Sequence, residues 1–361
     1  MRRNWIDNLR WVTVLLVLLY HVFYYYNGKG VIGGIGGFGG PQYQDVVLYV
    51  LYPLFMHLLF LLAGASARYS LVRRSPLEFI KSRTLKLLVP ATIGLFIFQW
   101  IVGYFNTQTS AFVQNVDLTA NVPGPVKYVI WAFSGIGVLW FVQDLWLFSL
   151  LLLPIRNLDK KGKCSRLGIV AIIFLGVLFW VGMKTLIQNP RPETGLLNLY
   201  KPVFYFILFL LGYYVFSHDE VQEKVAAAWI PLMICAAVSG IILIVTTFGQ
   251  DNTTPEYLGR PLHCLYGWLM CLAMMGWFKA RFDRTGPVAA YMTRSSYGFY
   301  VTHYLFIAMP GYMMKVYTDL PPVVMYIILT AAVFILTPAL YELLRRIPFV
   351  RWCVYGEKKK K

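Results

Sequence analysis

Long apolar runs are the feature of this sequence that most limits how the chain can fold. A helix needs about 20 mostly apolar residues to cross the hydrocarbon of a bilayer, where the backbone has to satisfy its own hydrogen bonds. The sequence holds ten such runs, which predict an all-α polytopic membrane protein, a single bundle of about ten transmembrane helices. The predicted spans are residues 11–27, 46–71, 87–105, 136–155, 168–187, 201–217, 226–247, 262–278, 297–314 and 323–343.

Basic residues alternate from one connection between spans to the next. They cluster at both termini and in the second, fourth and eighth connections. Most other connections carry a single basic residue, and the sixth, HDEVQEK, is mixed in charge. Because cytoplasmic connections are enriched in Lys and Arg, the alternation predicts that both termini are cytoplasmic. The clusters are Arg2, Arg3 and Arg10; Arg73, Arg74, Lys81, Arg83 and Lys86; Arg156, Lys160, Lys161, Lys163 and Arg166; Lys279, Arg281, Arg284 and Arg294; and Arg345, Arg346, Arg351 and the lysines ending at Lys361.

Composition favours one membrane domain. Hydrophobic residues make up 58% of the 361 positions and charged residues 14%, whereas soluble domains carry about 25% charged residues. The apolar content extends over the whole length, so we expect residues 1–361 to form a single integral-membrane domain without a separate soluble domain. The net charge of +17 lies mostly in the connections, which favours a topology signal over nucleic-acid binding.

The predicted outer connections differ in kind from the inner ones. Residues 28–44 are glycine-rich, and residues 106–127 and 248–261 are polar and contain proline. Flexible outer loops can cover a site that opens outward or serve only as linkers. The sequence favours neither interpretation.

The first run has two ionisable residues that a membrane helix does not need, Arg10 at its entrance and His21 inside it. At 100° per residue they share one helix face, about 16 Å apart along the axis. Asp7 is spaced to pair with Arg10. An arginine at the cytoplasmic end suits a phosphate-bearing ligand, and a histidine at depth suits a general base. From spacing alone, a topology arginine and a histidine that packs between helices are equally good interpretations.

Several segments resemble the membrane acyltransferase family 3. IDNLRWVTVLLVLLYH resembles its first-span signature, Asp-x-x-Arg followed by ten residues and His, which Asp7, Arg10 and His21 match. PLFMHLLFLLAGASARYSLVRRSPLEFIKSRTLKLLVP, VLWFVQDLWLF and RSSYGFYVTHYLF resemble later elements in the same order. The ending YELLRRIPFVRWCVYG is similar to the subgroup that contains the glucan biosynthesis protein C-like succinyltransferases.

The resemblance implies a donor site for acyl-CoA at the cytoplasmic ends of the helices. Its phosphate-binding candidates are Arg10, Arg74, Arg83 and Lys86, of which Arg83 lies nearest the start of the third span. The family pairs two arginines where this chain has Arg83 and Lys86, so the second position departs from the pattern. For each cation alone, ordinary loop charge is the alternative interpretation.

Two further sets are acceptor-binding or supporting candidates by resemblance. Ser296, Tyr300 and His303 are spaced to share one helix face. Asp144 lies about one turn after Trp140, four residues on, where some family members carry an acidic residue five places on. Hydrogen bonds between helices and a carboxylate at a span boundary are the corresponding alternatives. His57, inside the second span, is interpreted as a packing residue.

The resemblance implies an enzyme, an acyl-CoA-dependent O-acyltransferase of the bacterial cytoplasmic (inner) membrane. Acetyl-CoA or succinyl-CoA would be the donor substrate rather than a bound cofactor, and a hydroxyl of a cell-envelope carbohydrate would be the acceptor. His21 is expected to be the base for direct transfer, and an acyl-His21 intermediate is the alternative. The sequence has no GxSxG motif and no metal-ligand set.

A transporter or flippase for an envelope lipid or small solute is the alternative function. Ionisable groups within spans suit transport as well as catalysis. The sequence shows no internal repeat of the inverted kind found in many transporters, and the family-like segments come in order. Both observations favour the acyltransferase.

Overall fold

The structure is a computed structural model that describes residues 3–26, 34–109, 122–187 and 202–357. Arg2, the lysines from Lys358 onward, and residues 28–33 and 110–121 of the predicted outer connections lie outside these ranges. Within the described residues every regular element is helical, as predicted. The α-helices are α1 (Asn4–Tyr24), α2 (Val46–Leu51), α3 (Phe55–Arg73), α4 (Pro76–Arg83), α5 (Val89–Gly94), α6 (Trp100–Thr109), α7 (Gly124–Ser134), α8 (Trp140–Ile155), α9 (Ile169–Ile187), α10 (Pro202–Tyr214), α11 (Asp219–Ala227), α12 (Trp229–Thr247), α13 (Pro255–Leu258), α14 (Pro261–Arg281), α15 (Pro287–Thr302), α16 (Leu305–Tyr317), α17 (Pro322–Leu344) and α18 (Pro348–Tyr355).

Seven helical stretches among the described residues are long and apolar enough to cross a membrane, or up to eight if one bent pair is a single span. They correspond to the first four, seventh, eighth and tenth predicted spans. The count of ten and the cytoplasmic termini therefore stay predictions. The seven stretches are Asn4–Tyr24, Tyr43–Arg73, Pro76–Thr109, Gly137–Ile155, Trp229–Thr247, Pro261–Arg281 and Pro322–Leu344.

The other three predicted spans differ from long straight helices. The fifth is a shorter apolar helix over Ile169–Thr185, and the sixth corresponds to α10, which is followed after a 99° bend by α11. The ninth is divided, because α15 ends at Thr302 and α16 begins at Leu305. At that break Nδ1 of His303 lies 2.7 Å from the Tyr300 carbonyl oxygen. This side-chain hydrogen bond competes with the helical backbone ladder, so the ninth predicted span consists of two helices and not one continuous helix.

The described residues form two compact units, and each unit draws on three chain segments. The first unit contains those of Met1–Thr13, Leu48–Ile80 and Leu147–Thr293. The second unit contains those of Val14–Val47, Lys81–Trp146 and Arg294–Lys361. The interpretation of residues 1–361 as one domain stays a prediction.

Close helix contacts in the first unit depend on glycine. A Cβ on Gly64 of α3 would overlap the carbonyl oxygen of Phe209 in α10, and a Cβ on Gly212 of α10 would overlap that of Leu61 in α3. Small residues let two membrane helices approach until their backbones touch. The two glycines thus fix how α3 packs on α10.

The second unit packs the third predicted span against neighbours on two sides. This span is divided by π-helical turns at Thr84–Leu88 and Leu95–Gln99, on either side of α5. α6 packs on α7, where a Cβ on Gly103 would overlap the Trp131 carbonyl oxygen. α18 packs on α5, where a Cβ on Gly94 would lie 3.0 Å from the Cys353 carbonyl oxygen. The short helix after the last span is therefore part of the unit's core.

Candidate active site

Two histidines that are 282 residues apart in the sequence meet in the second unit. Nε2 of His303 lies 3.2 Å from Nδ1 of His21, and the ring centroids are 5.1 Å apart. His303 is fully buried at the break after α15, whereas His21 on α1 is half-buried. The break brings His303 within hydrogen-bond distance of His21, which is the more exposed residue of the two.

Tyrosine rings surround His21. The ring centroids of Tyr20, Tyr24 and Tyr304 lie 5.4, 6.3 and 5.4 Å from that of His21. Tyr20 and Tyr304 are themselves buried. An imidazole among aromatic rings is shielded from water, which strengthens its polar interactions with any group that reaches it.

The hydrogen bonds assign a tautomer to each ring of a neutral pair. A carbonyl oxygen only accepts, so Nδ1 of His303 carries the proton that it donates to the Tyr300 carbonyl. Nε2 of His303 is then an acceptor and takes the Nδ1–H of His21. His21 is left with an unprotonated Nε2, the form that a general base requires.

Tyr300 and Ser296, two of the predicted supporting residues, lie on α15 in the same unit. The Tyr300 hydroxyl donates to the carbonyl oxygen of Val138, and its ring centroid lies 5.7 Å from that of Phe141. Tyr300 therefore attaches the start of α8 to the helix that precedes His303. Ser296 is buried one turn earlier.

Asp144 lies in the second turn of α8, with Trp140 at the start of that helix. Its Oδ2 atom is buried and makes no hydrogen bond to the described residues. On either side of it along α8, Gln143 donates to the Ala91 carbonyl at 3.2 Å, and Trp146 donates to the Thr84 hydroxyl at 3.1 Å. These contacts fix α8 on the third predicted span, and Asp144 retains hydrogen-bonding capacity for a ligand.

Two donor-site candidates of the second unit lie three residues apart in the sequence. Arg83, the last residue of α4, is half-buried, and Lys86 in the following π-helical turn is exposed. A Cβ on Gly356 would overlap the Leu85 carbonyl oxygen and approach the Cα atom of Lys86 to 2.7 Å. Gly356 has a φ of +61°, the left-handed region that favours glycine. The chain after α18 therefore lies directly against the turn that carries Lys86.

The remaining predicted residues lie in the first unit. Nη1 of Arg10 donates to Asp7 at 3.0 Å, which confirms the predicted pair. Nη2 of Arg10 donates to the Ser66 hydroxyl at 2.6 Å, and that hydroxyl donates to the Leu62 carbonyl at 2.7 Å. Arg74 is exposed, in extended backbone directly after α3. The Arg10 guanidinium is thus oriented by two neighbours.

A family model described as an acyltransferase domain matches residues 3–342, which include all the predicted site residues. The chain belongs to this acyltransferase family. No curated protein and no solved structure matches it. The family and the apolar helices together make the chain a multi-pass membrane acyltransferase.

The acyltransferase contains polar groups that the sequence interpretation missed. Ser66 orients Arg10, and only its position in the small-residue segment AGASA hinted at a close helix contact. The guanidinium carbon of Arg345, counted above only as a topology charge, lies 5.8 Å from the Tyr341 ring centroid, and the guanidinium pairs with Glu342 at 2.5 Å. The family match ends before α18, yet α18 packs on the segment that follows Lys86.

Proposed function

We propose that this membrane acyltransferase moves an acyl group from cytoplasmic acyl-CoA to a hydroxyl of an extracytoplasmic cell-envelope carbohydrate, in the cytoplasmic membrane of a bacterium. The observation that carries the proposal is the His21–His303 pair, with Nε2 to Nδ1 at 3.2 Å and a Tyr300 carbonyl behind it. The pair gives the half-buried His21 a defined tautomer. The substrate classes, acyl-CoA and an envelope carbohydrate, are inferred from the sequence segments that resemble the family in the same order.

His21 acts as the general base in the proposed reaction. Its Nε2 takes the proton of the acceptor hydroxyl while that oxygen attacks the thioester carbonyl carbon. The new C–O bond forms, the C–S bond breaks, and the proton on Nε2 passes to the departing thiolate of coenzyme A. His303 accepts the Nδ1–H of His21 throughout and holds the ring in place.

The donor phosphates are assigned to cations at the predicted cytoplasmic side. Arg83 and Lys86 lie three residues apart in the second unit, and Arg10 is pre-oriented by Asp7 and Ser66. An oriented guanidinium loses less conformational freedom when it binds a phosphate. Arg74, which is exposed after α3, adds to the positive potential that attracts a polyanionic donor.

The acceptor sugar is assigned to the start of α8. The buried Oδ2 of Asp144 can accept a hydrogen bond from a sugar hydroxyl, and the Trp140 indole offers an apolar face for a sugar ring. Ser296 and Tyr300 support this region from α15. Among acyl groups we favour succinyl over acetyl, because the C-terminal segment is similar to the succinyltransferase subgroup.

Acyl transfer by the purified protein tests this function. The protein in detergent is given radiolabelled acetyl-CoA or succinyl-CoA with candidate envelope glycans, and labelled glycan and free coenzyme A are measured. We expect transfer from one donor, and a loss of about 100- to 10,000-fold in kcat for His21→Gln. His57→Gln, at another buried histidine, is the matched control and should retain kcat.

Three outcomes would contradict parts of the proposal. Wild-type turnover in His21→Gln would show that His21 is not the general base. If label stays on the protein when donor is added without acceptor, the reaction proceeds through an acyl-enzyme and not by direct transfer. A protein that cleaves neither donor, yet moves a labelled glycolipid across a proteoliposome membrane, would be a flippase instead.

A further inference from the structure

The short helix α18 begins where the last long apolar stretch leaves the hydrocarbon. That stretch, Pro322–Leu344, is α17 and has 23 residues. At 1.5 Å per residue it is about 34 Å long, whereas the hydrocarbon of a bilayer is about 30 Å thick. Only three residues separate α17 from α18, which starts at Pro348. α18 therefore begins close to the membrane surface.

One face of α18 is committed to the interior of the second unit. Its buried residues are Cys353, Val354 and Tyr355, and the helix packs on α5. A Cβ on Gly356, directly after the helix, would overlap the carbonyl oxygen of Leu85. These contacts hold α18 in one orientation, so its opposite face stays turned to the surroundings.

The opposite face of α18 is apolar and aromatic. Ile347, just before the helix, is 46% exposed, and Phe349 in its first turn is 58% exposed. Trp352 is half-buried one turn later, with its ring centroid 6.3 Å from that of Phe349. Such side chains favour the boundary between lipid headgroups and acyl chains. The exposed face therefore suits the surface of a membrane.

Basic residues accompany this apolar face. Arg346 is exposed immediately before Ile347, and Arg351 is half-buried in the middle of α18. The sequence continues with four lysines, residues 358–361, which lie outside the described ranges. Glu357 is the one acidic residue that follows α17 in the sequence. The segment after the last apolar stretch is therefore strongly positive.

The combination of cations and apolar side chains indicates which partner fits. Anionic lipids give a membrane a negative surface potential, and each Lys or Arg close to it strengthens the attraction about 5-fold. A zwitterionic lipid has no net charge, so it offers apolar contact without that attraction. Because α18 begins at the membrane surface, lipid is also the partner that is always beside it.

We propose that α18 lies in the membrane interface and binds anionic phospholipid headgroups. Ile347 and Phe349 enter the boundary between headgroups and acyl chains. Arg346 and Arg351 pair with the phosphates of lipids that carry a net negative charge. This lipid site goes beyond the proposed function, because it needs neither acyl donor nor acceptor.

Competition between two lipids tests the site. The purified protein in detergent is mixed with equal amounts of anionic phosphatidylglycerol and zwitterionic phosphatidylcholine that have the same acyl chains. Native mass spectrometry measures the ratio of the two bound lipids. We expect the wild type to retain an excess of phosphatidylglycerol. This excess should fall about 5-fold for Arg346→Gln and about 25-fold when Arg351→Gln is added.

Two comparisons give the test a matched control. Lys160→Gln with Arg166→Gln removes the same charge at two exposed positions between α8 and α9, in the first unit, and should leave the lipid ratio unchanged. High ionic strength screens charges, so it should lower the excess in the wild type. Arg346→Gln changes an exposed side chain, and thermal melting shows that each variant is folded.

Three outcomes would overturn the lipid site. The first is equal retention of both lipids by the wild type. The second is an unchanged ratio in the double variant at Arg346 and Arg351, or an equal loss in the control, which would indicate general charge attraction. The third is a dimer that Phe349→Ser abolishes, without a lipid preference, which would assign the face to a second copy of the chain. No turnover is measured, so failure of acyl transfer would leave the lipid result standing.

Discussion

Two buried histidines, His57 in the first unit and His303 in the second, look alike until their neighbours are compared. They are 3% and 0% exposed. Nδ1 of His57 lies 2.6 Å from the Pro53 carbonyl oxygen, and Nδ1 of His303 lies 2.7 Å from that of Tyr300. In each ring one nitrogen is committed to a backbone carbonyl of its own helical segment.

The two rings differ in what lies beyond that bond. His57 packs against the rings of Phe179, Phe204 and Tyr205, with centroids 4.8, 5.6 and 5.9 Å away. His303 instead meets the half-buried His21. A histidine inside an apolar helix is therefore not by itself a sign of catalysis. The difference lies in whether a second histidine meets it.

Replacing each histidine by alanine should give the largest difference between the positioning role of His303 and the packing role of His57. His303→Ala removes the acceptor for His21 Nδ1–H, so we expect kcat to fall about 100-fold, or ~2.7 kcal/mol, with donor KM unchanged. His57→Ala leaves a cavity and should cost about 2–4 kcal/mol of stability with kcat per folded protein retained. Steady-state kinetics and thermal melting in detergent measure both.

A conservative replacement distinguishes positioning from packing at His303. Glutamine can accept a hydrogen bond through its side-chain oxygen, so His303→Gln should recover much of the activity that His303→Ala loses. If glutamine and alanine were equally inactive, or if kcat survived both, His303 would not hold the base.

Glycine contacts extend the comparison to the packing of the two units. Gly64→Ala in the first unit would press a methyl group on the Phe209 backbone, which cannot move aside, and should cost about 1–3 kcal/mol of stability. Gly298→Ala meets the Tyr341 and Tyr355 side chains, which can shift. We expect a smaller loss of melting temperature there than for Gly64→Ala. The same response at both positions would contradict the distinction.

Ser66 tests whether orientation of Arg10 matters. Ser66→Ala removes the hydroxyl that accepts from Nη2, and we expect donor KM to rise about 5-fold, or ~1 kcal/mol, with kcat unchanged. Ser239→Ala is the control, since that hydroxyl bonds only the carbonyls of Cys235 and Ala236 in its own helix. A larger KM rise for Ser239→Ala than for Ser66→Ala would count against the Arg10 clamp.

The smallest expected effect concerns Asp159 in the connection between α8 and α9. Burial alone would raise its pKa, but hydrogen bonds from the backbone N–H groups of Lys163 and Cys164 outweigh burial and hold the pKa below its usual value. A carboxylate with a lowered folded pKa stabilises the fold above its unfolded pKa of about 4, and this stabilisation is lost as pH falls through the folded value.

Asp159→Asn should therefore lower the free energy of unfolding slightly at pH 7, by less than about 1 kcal/mol, and the difference from wild type should shrink as the pH falls below about 4. Melting curves from pH 7 to pH 3 in detergent measure this. A difference in stability that grew as the pH fell would contradict the lowered pKa of Asp159.

Much of the helical framework follows from the sequence, because the period and length of apolar runs reflect a local requirement for hydrocarbon. The all-helical class and most long spans were predicted, and so was the Asp7–Arg10 pair, since residues three apart on one helix are neighbours whatever surrounds them. The break at His303 was not, because it depends on a side chain bonding a carbonyl of the preceding turn.

The sequence by itself determined the membrane class, the family elements and the candidate residues along each helix. Only the tertiary structure decided which of them meet: His21 with His303, Arg10 with Ser66, and Tyr341 with Tyr355. The reason is physical. Helical periodicity assigns each residue a face on its own helix, whereas contacts between residues far apart in the chain depend on glycine positions and helix breaks that set how the faces pack.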